Sequence, residues 1–192
     1  MQRQLVRLWR LLLPCLLVFL SGNVHASNGE TELKRINAIK AAFVLNIARF
    51  VTWPSGVFAS DTAPLRLCVY RDNSYGQALK MIEGQRVGHH SLQFSTIENL
   101  RPNLNCEILL IPHTALGKFH EELDGELHQP LLTIVDQTEI KRKEHSRDGV
   151  IVTLVRQGSR IGFEIDPWKA RKANLHMSSE LLKLAKIVGE EQ

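Results

Sequence analysis

The first 26 residues set the conditions under which everything after them must fold. Arg3, Arg7 and Arg10 lead into an apolar run from Leu11 to Leu20, followed by the short polar stretch Ser21 to Ala26. That order of charge, grease and polar tail is the layout of a secretory leader. The run is shorter than the roughly 20 residues needed to cross a bilayer. Val24 and Ala26 put small side chains where a signal peptidase reads. The sequence therefore predicts cleavage near Ala26, leaving residues 27–192 to fold in an exported, oxidising compartment. Leu12-Leu13-Pro14-Cys15 resembles a lipid-attachment motif only faintly, and the proline before the cysteine breaks it.

The leader also distorts the charge balance. The chain has 24 lysines and arginines against 20 acids, and residues 1–26 carry three arginines and no acid, so the remainder holds 24 − 3 = 21 against 20. A nearly neutral domain offers no basic stripe for nucleic acid. The longest later apolar stretch, Ile36 to Trp53, is interrupted by Lys40 and Arg49, so no membrane insertion is expected. About 166 residues suffice for one domain with a proper core. Its two cysteines, Cys68 and Cys106, read either as a disulfide, favoured by the compartment, or as two buried thiols packed as small hydrophobes. A bridge would close a loop of roughly 39 residues and restrict the unfolded chain by ~4 kcal/mol in the entropy model.

Periodicity orders the rest. Leu33, Ile36, Phe43, Val44, Ile47, Phe50 and Val51 recur at helical intervals and predict a helix from about Glu32 to Thr52, ended by Trp53-Pro54. Leu65 to Arg71 reads as a strand, followed by a turn whose Ser74 is positioned to cap a short helix from Tyr75 to Glu83. Further strands are expected at 91–96, 107–111, 131–135, 150–155 and 160–165. A helix over 114–127 and a charged loop over 137–148 lie between them. Gln157-Gly158-Ser159 has the spacing of a hairpin, and helices follow at 166–174 and from Ser178, with Leu184 among the inward residues. The expected architecture is one α/β domain: a mixed sheet of about six strands flanked by helices, closing with a hairpin and then helices.

Chemistry is sparse in this pattern. No G-x-S-x-G nucleophile elbow occurs, and Ser178 and Ser179 sit where helix caps belong. His113 and His120 share a helical spacing, with His128 beyond and His89-His90 elsewhere, but no H-E-x-x-H, C-x-x-C or H-x-H accompanies them. No metal and no cofactor is expected. The turn Arg71-Asp72-Asn73-Ser74-Tyr75-Gly76 lacks the glycines of a phosphate loop. Asp136, past the carboxyl end of the presumed central strand, is the one candidate for a ligand crevice, set against a plain turn-forming role. Trp53 beside Pro54 reads as a core aromatic or as an anchor for a partner.

The segment Lys40-Ala41-Ala42-Phe43-Val44-Leu45-Asn46-Ile47-Ala48-Arg49-Phe50-Val51-Thr52-Trp53-Pro54 resembles the opening signature of the YfiR-like family of bacterial periplasmic proteins. Leu65 to Val69 is similar to that family's first strand. Phe163-Glu164-Ile165 and Leu175 to Ala185 are similar to its closing signature. Asn174 stands where the closing signature usually has glycine, a place an asparagine fills by adopting the left-handed turn. Only one cysteine pair is present, so redox behaviour tied to a second pair does not carry over.

The resemblance implies a periplasmic, non-catalytic regulator that binds the periplasmic domain of an inner-membrane diguanylate cyclase and represses it, lowering cyclic di-GMP. Asn46, Arg49 and Trp53 in the opening signature are the expected partner-binding residues. The alternative is a periplasmic small-ligand receptor or transport accessory using the crevice at Asp136. The sequence leaves the oligomeric state open between monomer and homodimer.

Overall fold

A computed structural model describes residues 26–72, 74–101, 104–123, 129–139 and 148–189. The proposed leader, the end of the 114–127 segment with His128, and most of the charged 137–148 segment fall outside the described residues. The chain divides into two compact units, residues 1–36 and 37–192. The described part of the first is the opening of helix α1 (Ala26–Arg49), held on its surface by ion pairs of Lys34 with Glu30 at 2.6 Å and Arg35 with Glu32 at 3.0 Å.

Residues 37–192 form an α/β domain around an eight-stranded mixed sheet. In chain order the elements after α1 are β1 (Val51–Thr52), β2 (Leu65–Tyr70), α2 (Gly76–Lys80), β3 (Arg86–Val87), β4 (His90–Ile97) and β5 (Ile108–Pro112). There follow a 3-10 turn (His113–Ala115), α3 (Leu116–Glu122), β6 (Leu132–Gln137), β7 (Val152–Gln157) and β8 (Arg160–Ile165). The chain closes with α4 (Pro167–Lys172), β9 (His176–Met177), α5 (Ser179–Leu184) and β10 (Lys186–Ile187). The sheet order is β10-β8-β7-β6-β5-β2-β4-β3. Strands β4, β2, β5, β6 and β7 run parallel, and β8 returns antiparallel to β7 through the turn at Gly158, whose φ of 62° suits a tight hairpin. All six strands expected from sequence are present. The added β3 and β10 are two-residue edge strands, too short to leave a periodic signal.

Burial follows the layering. β5 and β6 are buried on both faces, as continuous apolar runs in a parallel sheet require. One core, with Ala41, Val44, Ile47 and Ala48 of α1, Leu79 of α2 and Leu181 of α5, packs on Leu65, Leu67, Val69, Ile108, Ile134 and Phe163. A second, on the opposite side of the strands, brings Leu116 and Phe119 of α3 onto Tyr70, Leu109, Ile111 and Val135.

Several local expectations are corrected. The first helix stops at Arg49, because Val51 and Thr52 leave it to pair with Met177 and His176 as the small sheet β1–β9. Its buried face coincides with only part of the apolar stripe read in sequence: Val44 and Ile47 are interior as expected, but Asn37 and Lys40 are interior with them, while Leu33 is 49% and Phe50 40% exposed. Ser74 does not cap α2. The side chain of Asp72 instead accepts from the Ser74 amide at 2.6 Å, shaping the turn before the helix. Leu184, expected inward, is 72% exposed, since the chain leaves α5 at that point to run as β10 beside β8. Two caps behave as read: Ser178 Oγ accepts from the Leu181 amide at 3.2 Å, and Asn174 holds φ of 56° after α4.

Candidate functional site

The disulfide joins neighbouring strands. Cys68 lies on β2 and Cys106 just before β5, the strand paired with β2, so their Cα atoms stand 5.9 Å apart, within bridging distance. Both are buried, with Cys68 Sγ 3.7 Å from Ser95 Oγ on β4. The loop carrying Cys106 is clamped by its neighbour. Glu107, buried, accepts from the Arg66 backbone amide at 2.7 Å and from the Arg66 guanidinium, and its carbonyl accepts from Trp53 Nε1 at 3.4 Å. The Glu107 carboxylate thus ties the segment beside the bridge to β2, while the same residue's backbone carbonyl receives the tryptophan.

Trp53 is therefore an interior residue, 9% exposed, with its ring edge-on to Phe58, which in turn stacks on His90 at 3.7 Å. The other two residues of the expected partner-binding set lie outside. Asn46 and Arg49 are exposed, one turn apart on α1, with Arg49 Nη1 donating to Asn46 Oδ1 at 3.1 Å and Nε donating to the Arg86 carbonyl at 3.3 Å. Ile39, Ala42 and Asn46 share one face of α1, and Phe50, the first residue past its end, continues their spacing, all exposed. At the end of this face the Ser178 amide donates to the Phe50 carbonyl at 2.9 Å.

At the carboxyl end of β6 the sequence singled out Asp136 and missed its partner. Lys40, 1% exposed, reaches from α1 to place Nζ 2.8 Å from Asp136 Oδ2 and 3.0 Å from Glu139 Oε1. Tyr75 Oη donates to Asp136 Oδ2, and the Thr138 amide and hydroxyl donate to Oδ1 at 2.9 and 2.7 Å. Burial alone would push the Asp136 carboxyl up, but the hydrogen bonds from Lys40 and Tyr75 hold it below the usual carboxylate range. The same burial, then the charge of Asp136, drives the Tyr75 phenol upward, so it stays a donor. The carboxylate of Asp136 is fully engaged by the protein's own donors. What could have flagged Lys40 is its place among positions 37, 40, 41, 44 and 48, the true inward face. A lysine there demands a buried acid.

A looser polar group sits below the second core. Tyr70 Oη is buried with no hydrogen-bond partner among the described residues, and burial pushes its phenol up to about 12. Arg71, at φ of 54°, spans the Glu98 carbonyl at 2.8 Å and Glu122 at 3.6 Å. His113 and His120 lie at either end of the 3-10 turn and α3. Among the described residues no group of three histidine, cysteine or acidic side chains is arranged to hold a metal, and no helix is long and apolar enough to cross a membrane.

The geometry defines an α/β domain with a disulfide, a buried ion pair and an exposed helix face. Residues 37–186 match the model of the YfiR/HmsC-like family, a domain of unknown function, DUF4154, and the chain belongs to that family. No curated protein matches the chain.

Proposed function

We propose that this protein is a non-catalytic periplasmic regulator that binds the periplasmic domain of an inner-membrane diguanylate cyclase and represses it. Membership of the YfiR/HmsC-like family carries this reading. The leader at residues 1–26 supports it by directing residues 27–192 to the periplasm. A periplasmic domain has no access to cytoplasmic GTP. It lowers cyclic di-GMP by binding one state of a transmembrane partner more tightly than the other.

The outer face of α1 and the residue that follows it suit that task. Ile39 and Ala42, with Phe50 just past the helix end, supply apolar contact, and Asn46 and Arg49 supply directional hydrogen bonds among them. Trp53, 9% exposed, is interior and not part of that face. The rival reading, a small-ligand receptor using Asp136, has to displace Lys40 or Tyr75 from a carboxylate they already saturate.

Deleting the gene tests the reading directly: cellular cyclic di-GMP rises, and complementation with Phe50→Asp or Asn46→Lys fails to lower it while the wild type succeeds. An unchanged cyclic di-GMP level, with no membrane partner recovered by cross-linking, refutes repression of a cyclase. A thermal-shift response to a small metabolite, with that level unchanged, favours the receptor.

A further inference from the structure

Asn46 and Arg49 orient each other in one sense. Arg49 Nη1 donates to Asn46 Oδ1 at 3.1 Å, which leaves the Asn46 Nδ2 hydrogens without an acceptor among the described residues. Arg49 Nε is held by the Arg86 carbonyl at 3.3 Å, and the remaining guanidinium N–H groups are likewise unengaged among the described residues. Arg86, exposed beside them, adds a second guanidinium that reaches the His89 carbonyl at 2.9 Å. Neither arginine has a carboxylate within ion-pair distance among the described residues. What this corner of the surface presents is dominated by N–H donors and positive charge.

Ile39, Ala42, Asn46 and Arg49 step along α1 at intervals of three and four, a straight exposed seam of about 15 Å. We propose that this seam takes an amphipathic helix of the partner, one that sets an aspartate or glutamate against Asn46 Nδ2 and the Arg49 guanidinium. Apolar side chains of the same helix rest on Ile39 and Ala42 to one side and on Phe50 to the other. A carboxylate is the acceptor that answers an amide N–H and a guanidinium together, through charge-assisted bonds. A free anion or a phosphate headgroup would make no use of the apolar residues on either side. The backbone groups of α1 are bonded within the helix, so an extended strand finds no ladder to join. Ala42, small and central, lets a second helix axis come close. The partner's identity as a cyclase rests on the regulator reading; the chemistry of the seam does not.

Asn46→Asp isolates the claim. It keeps the oxygen that accepts from Arg49, and so the local structure, but turns the outward donor into a second carboxylate oxygen that repels an incoming acid. In cells, a photoreactive phenylalanine analogue in place of Ile39 cross-links the partner, and peptide mapping shows which element it meets. The periplasmic domain of that cross-linked protein is then titrated calorimetrically against the full mature chain at low and at physiological salt. The expected result is a cross-link to a helix carrying an acid, with affinity weakened about tenfold or more by Asn46→Asp and by Arg49→Met. Arg49→Met also flattens the salt dependence, the melting temperature of Asn46→Asp is unchanged, and replacing the partner's acid by lysine restores binding to Asn46→Asp. Absence of any cross-link, a cross-link to a strand or loop, affinity indifferent to Asn46→Asp, or no acid whose reversal rescues it overturns the proposal. If deletion of the gene raises cyclic di-GMP and Asn46→Asp represses like the wild type, the seam's chemistry falls while the regulator reading stands. If every binding criterion is met by a protein without a cyclase domain, the seam stands and the regulator reading falls.

Discussion

Replacing Lys40 by methionine keeps the length and most of the volume of the side chain but removes the cation that faces Asp136 across 2.8 Å. The carboxylate remains 3% exposed, with Tyr75 and Thr138 still donating to it. Leaving one member of a buried pair uncompensated costs about 3–5 kcal/mol, and the surviving hydrogen bonds set the expectation at the lower end, about 3 kcal/mol. For a domain of this size that is a fall in Tm of roughly 6–12 °C.

The effect depends on pH in a calculable direction. In the wild type, Asp136 titrates below its unfolded value, so its stabilisation is complete above about pH 4 and is lost as pH falls through the lower folded value. In Lys40→Met the folded value rises above the unfolded one, because burial now acts without the cation. The variant is thus penalised most at neutral pH, and its deficit narrows as pH drops from 7 toward 4. Urea denaturation at pH 7 and at pH 4.5, followed by circular dichroism, reads both quantities. A loss under about 1 kcal/mol at pH 7, or a deficit that does not shrink on acidification, would refute a buried ion pair between α1 and β6.

Three further outcomes follow from the same structure. Denatured mature protein will show no titratable thiol at Cys68 or Cys106, and the Cys68→Ala/Cys106→Ala double variant will lose about 2–5 kcal/mol in denaturant titration. Ser178→Ala removes the cap on the Leu181 amide and will cost about 1 kcal/mol by thermal unfolding, with Ser179→Ala much nearer neutral. Asn174→Gly will be tolerated, whereas Asn174→Val, β-branched at a positive φ, will destabilise by about 1–2 kcal/mol in the same assay.

Much of the fold was legible because it rests on local signals. The apolar runs at β5, β6 and β7 read as strands since both their faces are buried, and Gly158-Ser159 marked the hairpin because a tight return needs a positive φ. The caps at Ser178 and Asn174 are single-residue chemistry and were equally plain. The helix-to-strand switch at Val51 was hidden, because what stops α1 is a pairing with His176 and Met177, residues more than a hundred positions away. Propensity within the segment carries no trace of that partner.

The site divides in the same way. Asp136 was visible from its place at the end of a central strand, and the pairing of Cys68 with Cys106 from the oxidising compartment that the resemblance and the N-terminal pattern led us to expect. That the buried face of α1 extends to Lys40 was not visible, since a lysine in the core is permitted only by a carboxylate brought 2.8 Å away from another part of the chain. Trp53, read as core or anchor, went inside because the Glu107 carbonyl was there to accept its N–H. The sequence alone showed the family resemblance, the six main strands and the hairpin turn, which depend on patterns within short windows. Tertiary structure alone decided which polar groups are buried and which helix face stays open, because each depends on what another part of the chain places beside it.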